Sequence, residues 1–178
     1  MNVSEILKKQ VEETYRATLG LVDLVDADQL DWKPTTGDNW MTTGQLLHHL
    51  ETACGALAGC FVTGDWSVLA QLEPPEAERD PETGMLPASA MQTCTDVAAC
   101  RAAIEADRAK ALAAIDEAGE ERLVNEESTA PWSPTPRTLG YNLFECVQHL
   151  GSHKAQLFYY LKLQGKPVHT GSLWGMEG

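Results

Sequence analysis

Glu145-Cys146-Val147-Gln148-His149-Leu150-Gly151-Ser152-His153 sits well inside the last long apolar-periodic segment of the chain. At 3.6 residues per turn, side chains four apart return to nearly the same azimuth, so His149 and His153 stack on one helix face. One helix can then offer two imidazoles to a single metal ion, and a third histidine from elsewhere would complete a three-ligand site with an open position. The search for that third is short: the histidines are at 48, 49, 149, 153 and 169. The pair lacks the internal glutamate of His-Glu-x-x-His, so a zinc-protease mechanism is not implied.

Around this stretch the apolar positions Leu139, Leu143, Cys146, Val147, Leu150, Leu157 and Leu161 mark the buried stripe of a helix. Thr135 is its predicted cap, Pro136 its first helical residue, and Gly165 and Pro167 its end. A loop holding Pro131, Trp132 and Pro134 precedes it. Before that, Val97, Cys100, Ile104, Ala111 and Ile115 predict an alanine-rich helix over 94–118, ended by Gly119. Residues 65–92, with Pro74, Pro75, Pro81 and Pro87 among acidic residues, predict a long loop. A crossover running the length of a bundle accounts for it.

Thr42-x-x-Gln45 is a capping box opening a helix whose stripe runs through Leu46, Leu50, Cys54, Leu57 and Phe61 to a stop at Gly64. Val3 to about Val25 is the first helix, and no strand signal of comparable strength exists. The sequence therefore predicts an all-α fold: one domain spanning 1–178, a four-helix bundle with one long crossover between helices 2 and 3.

Composition excludes several functions. A formal net charge of −13 opposes sequence-independent nucleic-acid binding and docking on an anionic membrane. No stretch approaches the ~18 apolar residues of a membrane span, and the first residues lack the pattern of a signal peptide. Cys54, Cys60, Cys94, Cys100 and Cys146 form no Cys-x-x-Cys pair. They read as reduced thiols of a cytoplasmic protein, mostly small core residues without an activating neighbour.

Azimuths at ~100° per residue sort the histidines. His48 falls opposite the centre of the helix 2 stripe, whereas His49 lies about 80° to one side. His149 and His153 flank the helix 4 stripe, with Tyr160 on the same edge and Glu145 and Gln156 farther round. His49, His149 and His153 can thus meet in a cleft between helices. Lengths strain this arrangement. His49 is ~10 Å from the start of its helix and His153 ~17 Å from the end of its own, so helix 4 must overhang by a turn or more.

The chain resembles the DinB-like (DinB/YfiT) superfamily of four-helix metal-binding bundles over nearly its full length. The resemblance rests on Trp40 ahead of Gly44-Gln45-Leu46-Leu47-His48-His49-Leu50, on His149-x-x-x-His153-x-x-Gln156-Leu157, and on Leu161 to Gly165. There is one extra residue between Trp40 and the His-Leu pair, and Lys154 stands where such proteins often carry Arg. The resemblance implies His49, His149 and His153 as ligands of a divalent transition metal (zinc, nickel or iron) and leaves His48 outside. It also implies a metal-dependent enzyme acting on a small-molecule substrate, either a transferase using a low-molecular-weight thiol or a hydrolase; related bundles are often homodimers, and the sequence leaves the oligomeric state open. Glu145 and Gln156 are the candidates to orient an imidazole or a water from behind the ligands, Glu145 also as a general base. Trp40, Trp132 and Trp174 are candidates to line the bundle mouth. The competing reading is a non-catalytic bundle that binds metal or a small ligand for sensing, or that serves as a structural dimer.

Overall fold

The computed structural model describes residues 2–72, 79–82 and 84–176, so 73–78 and 83 of the predicted long loop lie outside the described residues. Five helices build the bundle: α1 (Val3–Val22), α2 (Thr43–Leu50), α3 (Gly55–Thr63), α5 (Val97–Asn125) and α6 (Leu139–Leu163). Short helices α4 (Ser67–Leu72) and α7 (Thr170–Trp174) flank it, and a hairpin of β1 (Glu127–Ala130) and β2 (Ser133–Thr138) joins α5 to α6.

Cross-helix bonds give the direction of each rod. Arg108 Nη1 bonds Glu12 at 2.7 Å and Arg101 Nε bonds Asp23 at 2.6 Å, so α1 and α5 are antiparallel. The Cys94 N–H donates to the Gly44 carbonyl, the Gly55 N–H to Asp107, and Arg122 to the Val62 carbonyl. The α2–α3 pair therefore runs parallel to α5, which requires the long crossover. Gln164 Nε2 donates to Thr43 Oγ1 at 3.1 Å, while His149 meets Ala53. So α6 is antiparallel to α2–α3. Val11, Leu46, Leu50, Ile104, Leu139 and Leu150 are fully buried in the core these rods share.

The overhang needed for the histidines to meet is present. The surplus turn of α6 beyond His153 is covered by the chain entering α2: the Tyr160 hydroxyl donates to the Met41 carbonyl at 2.9 Å, and Trp32 packs edge-on against the Tyr160 ring at 5.2 Å.

Four expectations are corrected. First, the helix expected from Thr42 to Gly64 is two helices broken at 51–54. The cause lies on α5: the Asp107 carboxylate, fully buried, accepts the N–H groups of Cys54, Gly55 and Ala56 at 3.2, 2.8 and 2.8 Å and the Tyr15 hydroxyl at 2.7 Å. It thereby caps the N-terminus of α3 in place of a local side chain. A Cβ on Gly55 would lie 1.9 Å from the Asp107 carbonyl oxygen, so this approach requires glycine. Second, α6 starts at Leu139 with Thr138 as its cap, not Thr135, because Ser133–Thr138 is drawn into the hairpin. Strands therefore exist, with both prolines of β2 on an exposed ribbon where a missing donor is tolerated. Third, Gly119 (φ 65°, ψ 168°) kinks α5 rather than ending it.

Fourth, Cys94 and Cys100 form a disulfide, with Cα atoms 6.3 Å apart, so the reading of all five cysteines as reduced thiols does not hold. Cys94 precedes α5 and Cys100 lies in its first turn, which brings the two together. Cys54, Cys60 and Cys146 are free and buried. Among the described residues, no helix is long and apolar enough to cross a membrane.

Candidate metal centre

The edge of α2 and the flank of α6 place three imidazoles face to edge. His49 Nε2 is 3.2 Å from His149 Nε2, and His153 Nε2 is 3.1 Å from the same atom. The His49 and His153 ring centroids are 4.4 Å apart. All three rings are partly buried.

The hydrogen bonds behind the rings fix which nitrogen of two of them carries the proton. His149 Nδ1 lies 2.8 Å from the Ala53 carbonyl, which can only accept, so Nδ1 is protonated and Nε2 presents a lone pair. For His153 the direction is set three groups away. The Met41 carbonyl takes the Tyr160 hydroxyl proton, so the Tyr160 oxygen must accept from Gln156 Nε2 at 3.1 Å. That turns Gln156 Oε1 toward His153 Nδ1 at 3.1 Å, which therefore donates. His153 Nε2 is bare as well.

With both rings neutral, two lone pairs face each other at 3.1 Å. A proton on His49 Nε2 could bridge to His149, but the contact between His149 and His153 needs added positive charge, either a second proton on one ring or a cation. A shared cation satisfies all three at once. Ligand atoms about 2.0–2.1 Å from a tetrahedral zinc lie roughly 3.3 Å from one another, close to the observed spacing. Burial, then the neighbouring imidazoles of His153 and His149, pushes the His49 pKa down to about 3. Burial and His149 also lower that of His153. Neutral imidazole is the ligating form. The donor set fits a divalent transition metal, and imidazole alone does not select which.

The other candidates fall as follows. His48 pairs with Glu51 at 3.2 Å, and His169 caps α7; neither joins the cluster. Glu145 is half-exposed, 3.9 Å from Arg137 Nη1, and the proton acceptor behind His149 is the Ala53 carbonyl instead. Gln156 touches His153 directly. Trp132 lines a cavity, Trp40 packs edge-on to Tyr160, and Trp174 is exposed near Lys154. Glu51 also stands near the Cys94–Cys100 pair, whose sulfurs are joined to each other.

Two of the cavities formed by the described residues reach the cluster. The larger, about 590 Å³, lies under the hairpin, with His149, Leu57, Phe61 and Trp132 in its lining. The smaller, about 370 Å³, is bounded by His48, His49 and His149. Leu57 and Met85 border both.

Sequence reasoning missed Ala53 and Met41, which act through backbone carbonyls and leave no side-chain signal. It also missed Asp107. An aspartate on the same stripe as Ile104 and Ala111 was the available clue, because a charged residue in a buried row needs partners.

Comparison with known proteins agrees with this architecture. The chain is similar in fold to the crystal structure of a DinB-like protein from Bacillus subtilis, at a TM-score of 0.62 and 18% identity, over 91% of this chain and 94% of that one. No match is found among curated proteins. The sequence pattern of the DinB superfamily matches residues 10–157, most of the chain, and with that match the protein belongs to the DinB superfamily.

Proposed function

We propose that His49, His149 and His153 hold one divalent transition-metal ion, and that the chain is a metal-dependent enzyme, either a thiol-dependent transferase or a hydrolase, acting on a small molecule. The observation that carries this reading is the pair of bare Nε2 atoms at 3.1 Å, each oriented by its own hydrogen-bond partner. Three histidine ligands leave a position open, which suits catalysis better than a closed structural site. A metal bound there lowers the pKa of a bound water or holds a thiolate.

The chain's own groups do the rest. The Ala53 carbonyl and Gln156 hold the imidazoles in one tautomer. Leu57 and Phe61 give the larger cavity, which His149 also lines, an apolar wall. Glu145 is the carboxylate of the larger cavity's lining among the described residues, and it takes a proton released there. Two cavities bordering His149 favour transfer between two reactants over hydrolysis of one.

The test is metal content of protein purified without a His tag, for wild type and for His49→Ala and His153→Ala, followed by a turnover screen of small thiols against electrophiles. Stoichiometric metal in wild type alone, with turnover, is the expected result. Metal-free wild type that takes up no added zinc, nickel or iron would overturn it.

A further inference from the structure

The larger cavity carries chemistry that the histidines do not explain. Its volume of about 590 Å³ is that of a site for a drug-sized molecule. Trp132, at the hairpin turn, is 62% exposed, an unusual place for the largest apolar side chain. It is nonetheless held in orientation by edge contacts to Trp66 at 5.4 Å and Phe61 at 6.4 Å. A flat apolar group entering the cavity would cover this face.

Arg137 from β2 lines the same cavity. Arg101, Arg108 and Arg122 each hydrogen-bond a carboxylate. The Arg137 side chain makes no hydrogen bond among the described residues. Among the described residues its carboxylate partner is Glu145, which lines the same cavity and forms only a loose ion pair at 3.9 Å, and its guanidinium lies 4.7 Å from the centre of the Tyr141 ring. In a chain with 26 acidic and 13 basic residues, an arginine without a hydrogen-bonded acid has its planar fork of donors available. Such a fork matches a carboxylate in two parallel bonds. Stacking on Tyr141 holds the fork in place.

We propose that this cavity binds an amphipathic carboxylate, its flat apolar body against Trp132 and Phe61 and its anionic group on Arg137, with the remaining end directed toward His149. That this ligand is a reactant rests on the function proposed above; that it binds does not. The probes are 1-naphthoate and its neutral analogue 1-naphthamide, titrated calorimetrically into the full chain as purified and after zinc loading. Naphthoate is expected to bind at least tenfold more tightly than the amide. Arg137→Ala should erase that difference, Arg137→Lys should retain part of it, and Trp132→Ala should weaken both probes about tenfold.

Equal binding of the two probes to wild type overturns the proposal. So does a preference for naphthoate that survives Arg137→Ala and disappears in His153→Ala, because the carboxylate would then sit at the histidines. A preference that persists in His153→Ala and is lost in Arg137→Ala supports the cavity assignment even where no metal is found. Metal at full stoichiometry with no preference for naphthoate defeats this inference alone.

Discussion

The Nδ1 proton of His149 is held by the carbonyl of Ala53 at 2.8 Å, in the break between α2 and α3. Asp107, gripping the next three N–H groups, fixes where that break falls. Asp107→Asn turns one acceptor into a donor facing donors and is expected to cost about 1.5–3 kcal/mol, read as a lower urea midpoint. Gly55→Ala forces α3 away from α5 at a cost of about 1–3 kcal/mol. Because the same break aims the Ala53 carbonyl, both variants should also weaken zinc binding by roughly 10–100-fold. Unchanged zinc affinity in a destabilised but folded Asp107→Asn protein would separate the break from the site.

Metal should stabilise the fold through its ligands alone. At a free concentration 100 times its Kd, a bound ion adds about 2.7 kcal/mol, a Tm rise of roughly 5–10 °C for a chain of this size. His49→Ala, His149→Ala and His153→Ala are expected to lose that rise, and His48→Ala to keep it, since His48 is engaged with Glu51. Scanning calorimetry with and without chelator reads the difference. An equal loss in His48→Ala would place the ligand on the wrong histidine.

How much of this was legible in the sequence depends on how far each cause lies from its effect. The choice of His49 over His48 follows from azimuth on a single helix, a local property, and the structure brings His49 to the pair on α6. The break after Leu50 was not legible, because the apolar stripe runs on through Cys54 and Leu57, and the group that interrupts it sits on α5. The hairpin was hidden for another reason. β2 is almost wholly exposed, so it has no buried face to impose a period of two, and its prolines read as loop. The disulfide joins residues six apart that no sequence rule pairs.

Gln156 and Tyr160 act on His153 as one relay. Gln156→Leu removes the acceptor from His153 Nδ1 and should weaken zinc binding by roughly 10–100-fold. Tyr160→Phe leaves Gln156 in place and removes the hydroxyl that orients its amide, so a smaller loss in the same direction is expected. Competition with a zinc chelator of known affinity ranks the three proteins. Tyr160→Phe binding as tightly as wild type would show that the amide needs no such guide.

The disulfide is checked by counting thiols. Unfolded, unreduced protein should react with three equivalents of an alkylating reagent, at Cys54, Cys60 and Cys146, and with five after reduction. Closing so short a loop limits the entropic gain to about 2 kcal/mol, so Cys94→Ser/Cys100→Ser should fold with a modestly lower urea midpoint. Five equivalents without reductant would return both cysteines to the reduced state.

The imidazole cluster also sets an acid limit for the metal-free protein. Burial and its neighbours hold His49 near a pKa of about 3 when folded, against 6.5 for a free histidine. Below 6.5 the unfolded chain takes up a proton that the folded chain refuses. The contribution is therefore fully present above pH 6.5 and is lost progressively as pH falls toward 3. Between pH 6.5 and 5 that loss is on the order of 2 kcal/mol from His49 alone. His153, shifted in the same direction, adds to it. Urea titrations of chelated wild type at pH 7.5, 6 and 5 should show this decline, and His49→Phe should flatten it by removing the group that refuses the proton. With metal bound the decline should steepen, because protons then compete with the ion for the same nitrogens. Equal slopes for chelated wild type and His49→Phe would mean that His49 is free to protonate in the folded chain, contrary to its burial beside the two imidazoles of α6.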